Sequence, residues 1–283
     1  MALTVLFYQP EAEPDLPRDE IEAALGAELG LELGHEQVPG YQPWRWRDPR
    51  TGAICDGDLG QPPLEEDTLH PETSYDGWRA VGLAVHIPVP VAHWHCVEAA
   101  NLIQRLMDRL PGCVVLDTED TGAEEARGPG DLDRVRLLAS WEQLHAAQTA
   151  GRRNCWRMDR HASLAVWRYR REQAQGRAAH PELTWPGALA VLDGDLPRSA
   201  TFWVSPEQDL ALPPVELVVV HRGDETGVIT ANQLRAAVSG GTTLEYGAAT
   251  RIAATPAVRE LFASTELTPV ERYRALDDQE WTD

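Results

Sequence analysis

The chain has 283 residues, 43% of them hydrophobic and ten of them Trp, enough to bury a core of its own, so it is no disordered tail. Its formal charge of −20 repels nucleic acid and anionic membrane at long range. All 25 basic residues are Arg, which removes Schiff-base chemistry and the Walker A phosphate loop, and no apolar run approaches the roughly 18 residues of a membrane span.

The first residues, Met1 to Tyr8, are β-rich, lack a positive leader and run into Pro10, Glu11 and Glu13, so a first strand is expected here and not a signal peptide. Asp19 to Leu29 places Ile21, Ala24, Leu25 and Leu29 on one helical face. A hairpin follows, with arms Tyr41–Arg47 and Ala53–Cys55 around the turn Asp48-Pro49-Arg50-Thr51-Gly52; Trp44 and Trp46 share one face of its first arm. Residues 60–76 have the composition of a surface loop and Val81–Val89 that of a strand. In Cys96–Leu110 the residues Cys96, Ala99, Ala100, Ile103, Leu106, Met107 and Leu110 form one apolar helical stripe, stopped by Pro111-Gly112, and Cys113–Leu116 is a short buried strand.

Acidic residues dominate 117–130, and beyond them Asp131–Thr149 and Ala162–Gln175 carry apolar residues at helical spacing. The pattern then returns to strands at Ala188–Leu192, Ala200–Val204, Val215–His221 and Thr242–Tyr246. Short helices are expected at Asn232–Val238 and at Pro256–Ala263, the latter capped by Thr255 with Pro256 at its first position. The expected fold class is α/β (α+β). A ferredoxin-like sandwich over 1–125 leads into an Arg-rich helical hairpin over 126–180 and an α/β unit over 181–283 packed on the first.

Four Cys at 55, 96, 113 and 155, with no C-x-x-C pair, fit reduced thiols of a cytoplasm. The absence of Lys, with abundant Ala, Gly, Pro and Leu, fits a GC-rich bacterial genome. His93, His95 and Cys96 have the chemistry of zinc ligands. On a helix, however, a spacing of two turns His93 and His95 about 200° apart, so no metal site is expected. Asp117, Glu119 and Asp120 follow a buried strand, where α/β proteins often hold ligands. With His93 or His95 as acid or base they form the alternative reading, a metal-dependent hydrolase or phosphotransferase. Asp56-Gly57-Asp58 and Asp193-Gly194-Asp195 read as turns. Residues 127–177 carry +6 against −26 elsewhere, and Trp156, Trp167 and Tyr169 interleave with Arg153, Arg157, Arg160, Arg168, Arg170 and Arg171. Nucleic-acid binding is the third reading of that stretch; docking of the Arg stems onto the chain's own acids and Trp rings is the favoured one.

With no catalytic signature, the leading expectation is a non-catalytic acidic binding protein that masks a basic protein partner, in the manner of an immunity or antitoxin factor. No cofactor is expected, and neither membrane nor nucleic acid is the expected partner. Contact is expected at Trp44 and Trp46 and in the acidic loops, at Glu65, Glu66, Asp67, Glu124 and Glu125. The Trp-rich strand, its Asp48–Gly52 turn and the strand-helix-strand ending at Asp117 resemble proteins of GC-rich bacteria, some of which look like immunity proteins of toxin systems. That resemblance carries over no functional residue.

Overall fold

The computed structural model describes residues 2–36, 38–60, 75–118, 128–150, 156–238 and 241–283. The chain divides into two compact units, Met1–Arg153 and Asn154–Asp283, each of mixed α and β content.

The first unit runs β1 (Ala2–Pro10), α1 (Arg18–Gly26), β2 (Leu31–Leu33), β3 (Gln42–Arg47), β4 (Ile54–Leu59), β5 (Trp78–Pro88), α2 (Trp94–Arg109), β6 (Val114–Asp117) and α3 (Arg134–Thr149). Its sheet has the order β2-β3-β4-β5-β1-β6, antiparallel throughout. Strands β4, β5, β1 and β6 give the strand order of a ferredoxin-like sandwich, and β2 and β3 extend it at one edge.

Side-chain alternation divides that sheet into two faces. Leu3, Val5, Trp44, Trp46, Cys55, Val85 and Ile87 are buried on the helix-covered side, where Arg105 of α2 stands 5.9 Å over the Trp46 ring. Trp44 needs the glycine opposite it. A Cβ on Gly57 would lie 2.0 Å from the Trp44 ring, so only Gly lets the indole lie flat across the neighbouring strand. Asp56-Gly57-Asp58 is therefore the middle of β4 and not a turn, whereas Asp193-Gly194-Asp195 does turn, with φ of +62° at Gly194. The Asp48–Gly52 turn forms as its residues dictate. The Asp48 carboxylate accepts from the backbone N–H of Arg50 at 2.7 Å and of Thr51 at 3.3 Å, and Gly52 takes a φ of +79°.

The second unit contains β7 (Trp156–Arg157), α4 (Arg160–Ala179), β8 (Ala188–Asp193), β9 (Leu196–Trp203), β10 (Leu210–Leu212), β11 (Leu217–Arg222), β12 (Glu225–Thr230) and α5 (Ala231–Ala236). It continues through β13 (Thr242–Thr243), β14 (Thr250–Ile252), α6 (Pro256–Ser264), β15 (Thr268–Pro269), β16 (Tyr273–Leu276) and β17 (Trp281–Thr282). Its main sheet, β15-β12-β11-β9-β8-β16, has one parallel pair, β9 with β11. One face packs on α4, α5 and α6 through Val166, Tyr169, Trp203, Val218, Val220, Leu234, Val258 and Phe262. The starts of α3, α4, α5 and α6 carry side-chain caps for their orphan N–H groups. Asp133 caps α3, Asp159 caps α4, Thr230 forms a capping box with Gln233, and Thr255 caps α6 ahead of Pro256.

The two Arg-rich helices belong to different units. Trp141 of α3 donates its indole N–H to the Pro88 carbonyl in the first unit, and Tyr169 of α4 donates to the Pro186 carbonyl in the second.

Candidate functional site

The face of the first sheet opposite the helices carries a polar row. Register places Glu32, Arg45, Asp56, His86 and Thr4 side by side across five strands. Arg45 donates to Asp56 at 2.7 Å. Thr4 Oγ1 lies 3.0 Å from His86 Nδ1, His86 Nε2 lies 2.8 Å from Asp58, and the Tyr41 hydroxyl donates to the other Asp58 oxygen at 2.7 Å.

Burial acts to raise the Asp58 pKa, but the hydrogen bonds from His86 and Tyr41 outweigh it and hold the carboxyl below its ordinary value. The same hydrogen bond, with burial and the negative charge of Asp58, pushes the Tyr41 phenol up to about 12. An ionised Asp58 only accepts, so His86 Nε2 donates to it; Nδ1 faces the Thr4 hydroxyl, which can either donate or accept. Hydroxyl, imidazole and carboxylate thus stand in the order that activates a nucleophile. Thr4, His86 and Asp58 tie β1, β5 and β4 together across the sheet, a cross-strand polar ladder.

One cavity of this unit, of about 400 Å³, lies between the end of α1, the β3–β4 turn and α2, and is lined by Glu28, Trp46, Asp48, Arg50, Arg105 and Arg109 among others. Arg105 and Arg109 both hold the Glu28 carboxylate, whose side chain is 5% exposed. Burial alone would raise the Glu28 pKa; hydrogen bonds from the two guanidinium groups lower it. Arg50 pairs with Asp48 at 3.0 Å. A second cavity, of about 210 Å³, is bounded by Asp117, Asp131, Asp133 and Arg136.

Several residues expected to form a site serve other ends. Trp44 and Trp46 are 2% and 1% exposed, so these rings are core and not partner contacts: their strand alternation points both at the helices, and the Trp46 indole donates to the Leu29 carbonyl at 3.0 Å. His95 is fully buried, stacks on Trp94 and accepts the Ile54 N–H on Nδ1 at 3.2 Å, which commits that nitrogen to strand β4. Asp117 stands at the end of β6, three strands from β4 in the sheet, and its charge acts on the Cys96 thiol next to His95. His93 occupies the N-cap position of α2. Glu119 and Asp120, like Glu65, Glu66, Asp67, Glu124 and Glu125, lie outside the described residues. No group of three or more His, Cys, Asp or Glu side chains among the described residues is placed to hold a metal ion.

No protein-family model matches the chain. Comparison with curated proteins and with solved structures likewise gives no significant match. Function therefore rests on charge and on the geometry above. The Arg-rich stretch uses part of its charge internally: Arg170 Nη1 donates to both Asp278 oxygens at 3.0 and 2.9 Å, Arg177 donates to the Trp185 carbonyl at 2.8 Å, and Arg171 stands 5.4 Å over Trp167. No helix among the described residues is long and apolar enough to cross a membrane.

Neither the polar row nor the Glu28 cavity was singled out from the sequence. Strand alternation could have found the first, because Cys55, Gly57 and Leu59 alternate with Asp56 and Asp58 at period two. The second has no local signal, since Glu28 and Arg109 stand 81 positions apart.

Proposed function

We propose that this chain is a non-catalytic cytoplasmic binding protein that masks a basic protein partner, in the manner of an immunity or antitoxin factor. The observation that carries the reading is the charge of −20. Arg18, Arg45, Arg79, Arg198, Arg251 and Arg274 each hold a carboxylate of the chain itself, at 2.6 to 2.8 Å. Cations tied up in this way leave the excess carboxylates to set the outward field, which steers a basic partner and repels polyanions. Glu32, on the helix-free face of the first sheet, is among the acids available to such a partner.

Affinity capture from lysate of the source organism, at low salt and again after a high-salt wash, tests the reading by mass spectrometry. A single basic protein retained stoichiometrically at low salt and released at high salt is the expected result. Capture of nucleic acid, of acidic proteins, or of nothing would overturn it.

A further inference from the structure

We infer that the cavity between α1, the β3–β4 turn and α2 is a binding site for a small phosphate monoester, a function separate from the masking of a basic partner. Three guanidinium groups line the cavity with two carboxylates, Glu28 and Asp48, a formal excess of one cation among its lining residues in a chain of charge −20, and the buried Glu98 also acts on Arg50. Glu28 is engaged by Arg105 through Nε and Nη2 and by Arg109 through Nη1, and Asp48 by Arg50 through Nε and Nη2. That leaves Nη1 of Arg105, Nε and Nη2 of Arg109 and Nη1 of Arg50 with no partner among the described residues.

These side chains are 35%, 39% and 50% exposed, whereas the carboxylates that orient them are buried. Buried carboxylates holding cationic forks in place is the preorganisation an oxyanion site needs, since the forks are fixed before the ligand arrives. A tetrahedral dianion accepts from several forks at once, which a single planar carboxylate does less well.

The cavity, at about 400 Å³, lies within the range of small-molecule sites, roughly 300–1,000 Å³, and exceeds what a bare phosphate fills. Its remaining walls, Ala27, Leu29, Pro49 and Trp46, are apolar and suit the organic body of an ester.

Titration calorimetry of the full chain with inorganic phosphate and with phenyl phosphate, at matched ionic strength in chloride, tests the site. Phenyl phosphate is expected to bind more tightly than inorganic phosphate. Arg109→Gln, which leaves Arg105 on Glu28, is expected to weaken it by about tenfold or more, the loss of one charge-assisted contact. Arg50→Gln, which leaves the Glu28 pairs untouched, is expected to weaken it as well, so that a folding defect at Glu28 is not mistaken for loss of the site. No heat with either ligand up to about 10 mM would overturn the inference, as would equal affinity in the wild type and both variants, the mark of a general anion effect. Equal affinity for the two ligands would overturn the assignment of an ester.

Discussion

Replacing Gly57 by Ala sets two effects of opposite sign against each other. In an unobstructed strand, Gly→Ala restricts the unfolded chain and stabilises by about 0.4–1 kcal/mol. Here the new Cβ would sit 2.0 Å from the Trp44 ring and 2.3 Å from the Ala84 carbonyl oxygen. Carbon atoms pack at about 3.5–4.0 Å, so the overlap is about 1.5 Å or more. Trp44 is 2% exposed and has no free space to swing into, and the Ala84 oxygen belongs to the backbone of the adjoining strand. Overpacking of this kind costs about 1–3 kcal/mol, and two obstructed directions put the cost at the upper end, for a net loss of about 2 kcal/mol. For a unit of this size that lowers the melting temperature by about 4–8 °C. Differential scanning calorimetry of the full chain reads the shift in the transition of the first unit. Combination with Trp44→Leu, which vacates the space, should recover part of it. A Gly57→Ala protein as stable as wild type, or more so, would refute the packing of Trp44 over Gly57 and with it the placement of Asp56 and Asp58 on the helix-free face.

Removing the acceptor with Asp58→Ala should bring the Tyr41 phenol down from about 12 towards the ordinary value of roughly 10, followed by ultraviolet pH titration against the Tyr41→Phe protein; an unchanged titration would contradict the Tyr41–Asp58 bond. Glu28 is lowered on folding, so its contribution to stability is fully present above the unfolded value near about 4.3 and is lost as pH falls through the lower folded value. The urea midpoint of the first unit should therefore fall in that acid window, and Glu28→Gln should flatten the fall; an equally steep slope in the variant would remove Glu28 as its source. Burial pushes the thiols of Cys55 and Cys96 up, so both should resist a thiol reagent in the native protein and react once urea unfolds it, as mapped by peptide mass spectrometry. Rapid native labelling of either would contradict their burial.

Much of the fold was legible because the residues concerned act locally. The apolar stripe from Cys96 to Leu110 became α2, the Asp48–Gly52 sequence became the turn its Asp and Gly specify, and Thr255-Pro256 started α6. Strand β12 was hidden by Glu225-Thr226-Gly227, a polar start whose strand character comes only from pairing with β11. Asp56-Gly57-Asp58 was misread because turn chemistry is local, whereas the need for Gly beneath Trp44 arises only once β3 and β4 pair. Both Trp rings carried the right alternation and the wrong side: period two says that Trp44 and Trp46 share a face, but not that α2 covers it. The Glu28 cavity gathers residues from the segment after α1, from β3 and the turn that follows it, and from α2, so no spacing in the sequence could announce it.

The association rate of the chain with its captured basic partner, measured across ionic strength, bears most directly on the masking role. Electrostatic steering by an uncompensated acidic surface should make that rate fall by about tenfold or more between roughly 10 mM and 300 mM salt, with one-to-one stoichiometry. A rate indifferent to salt, or one that rises with it, would contradict a protein that works through its negative field.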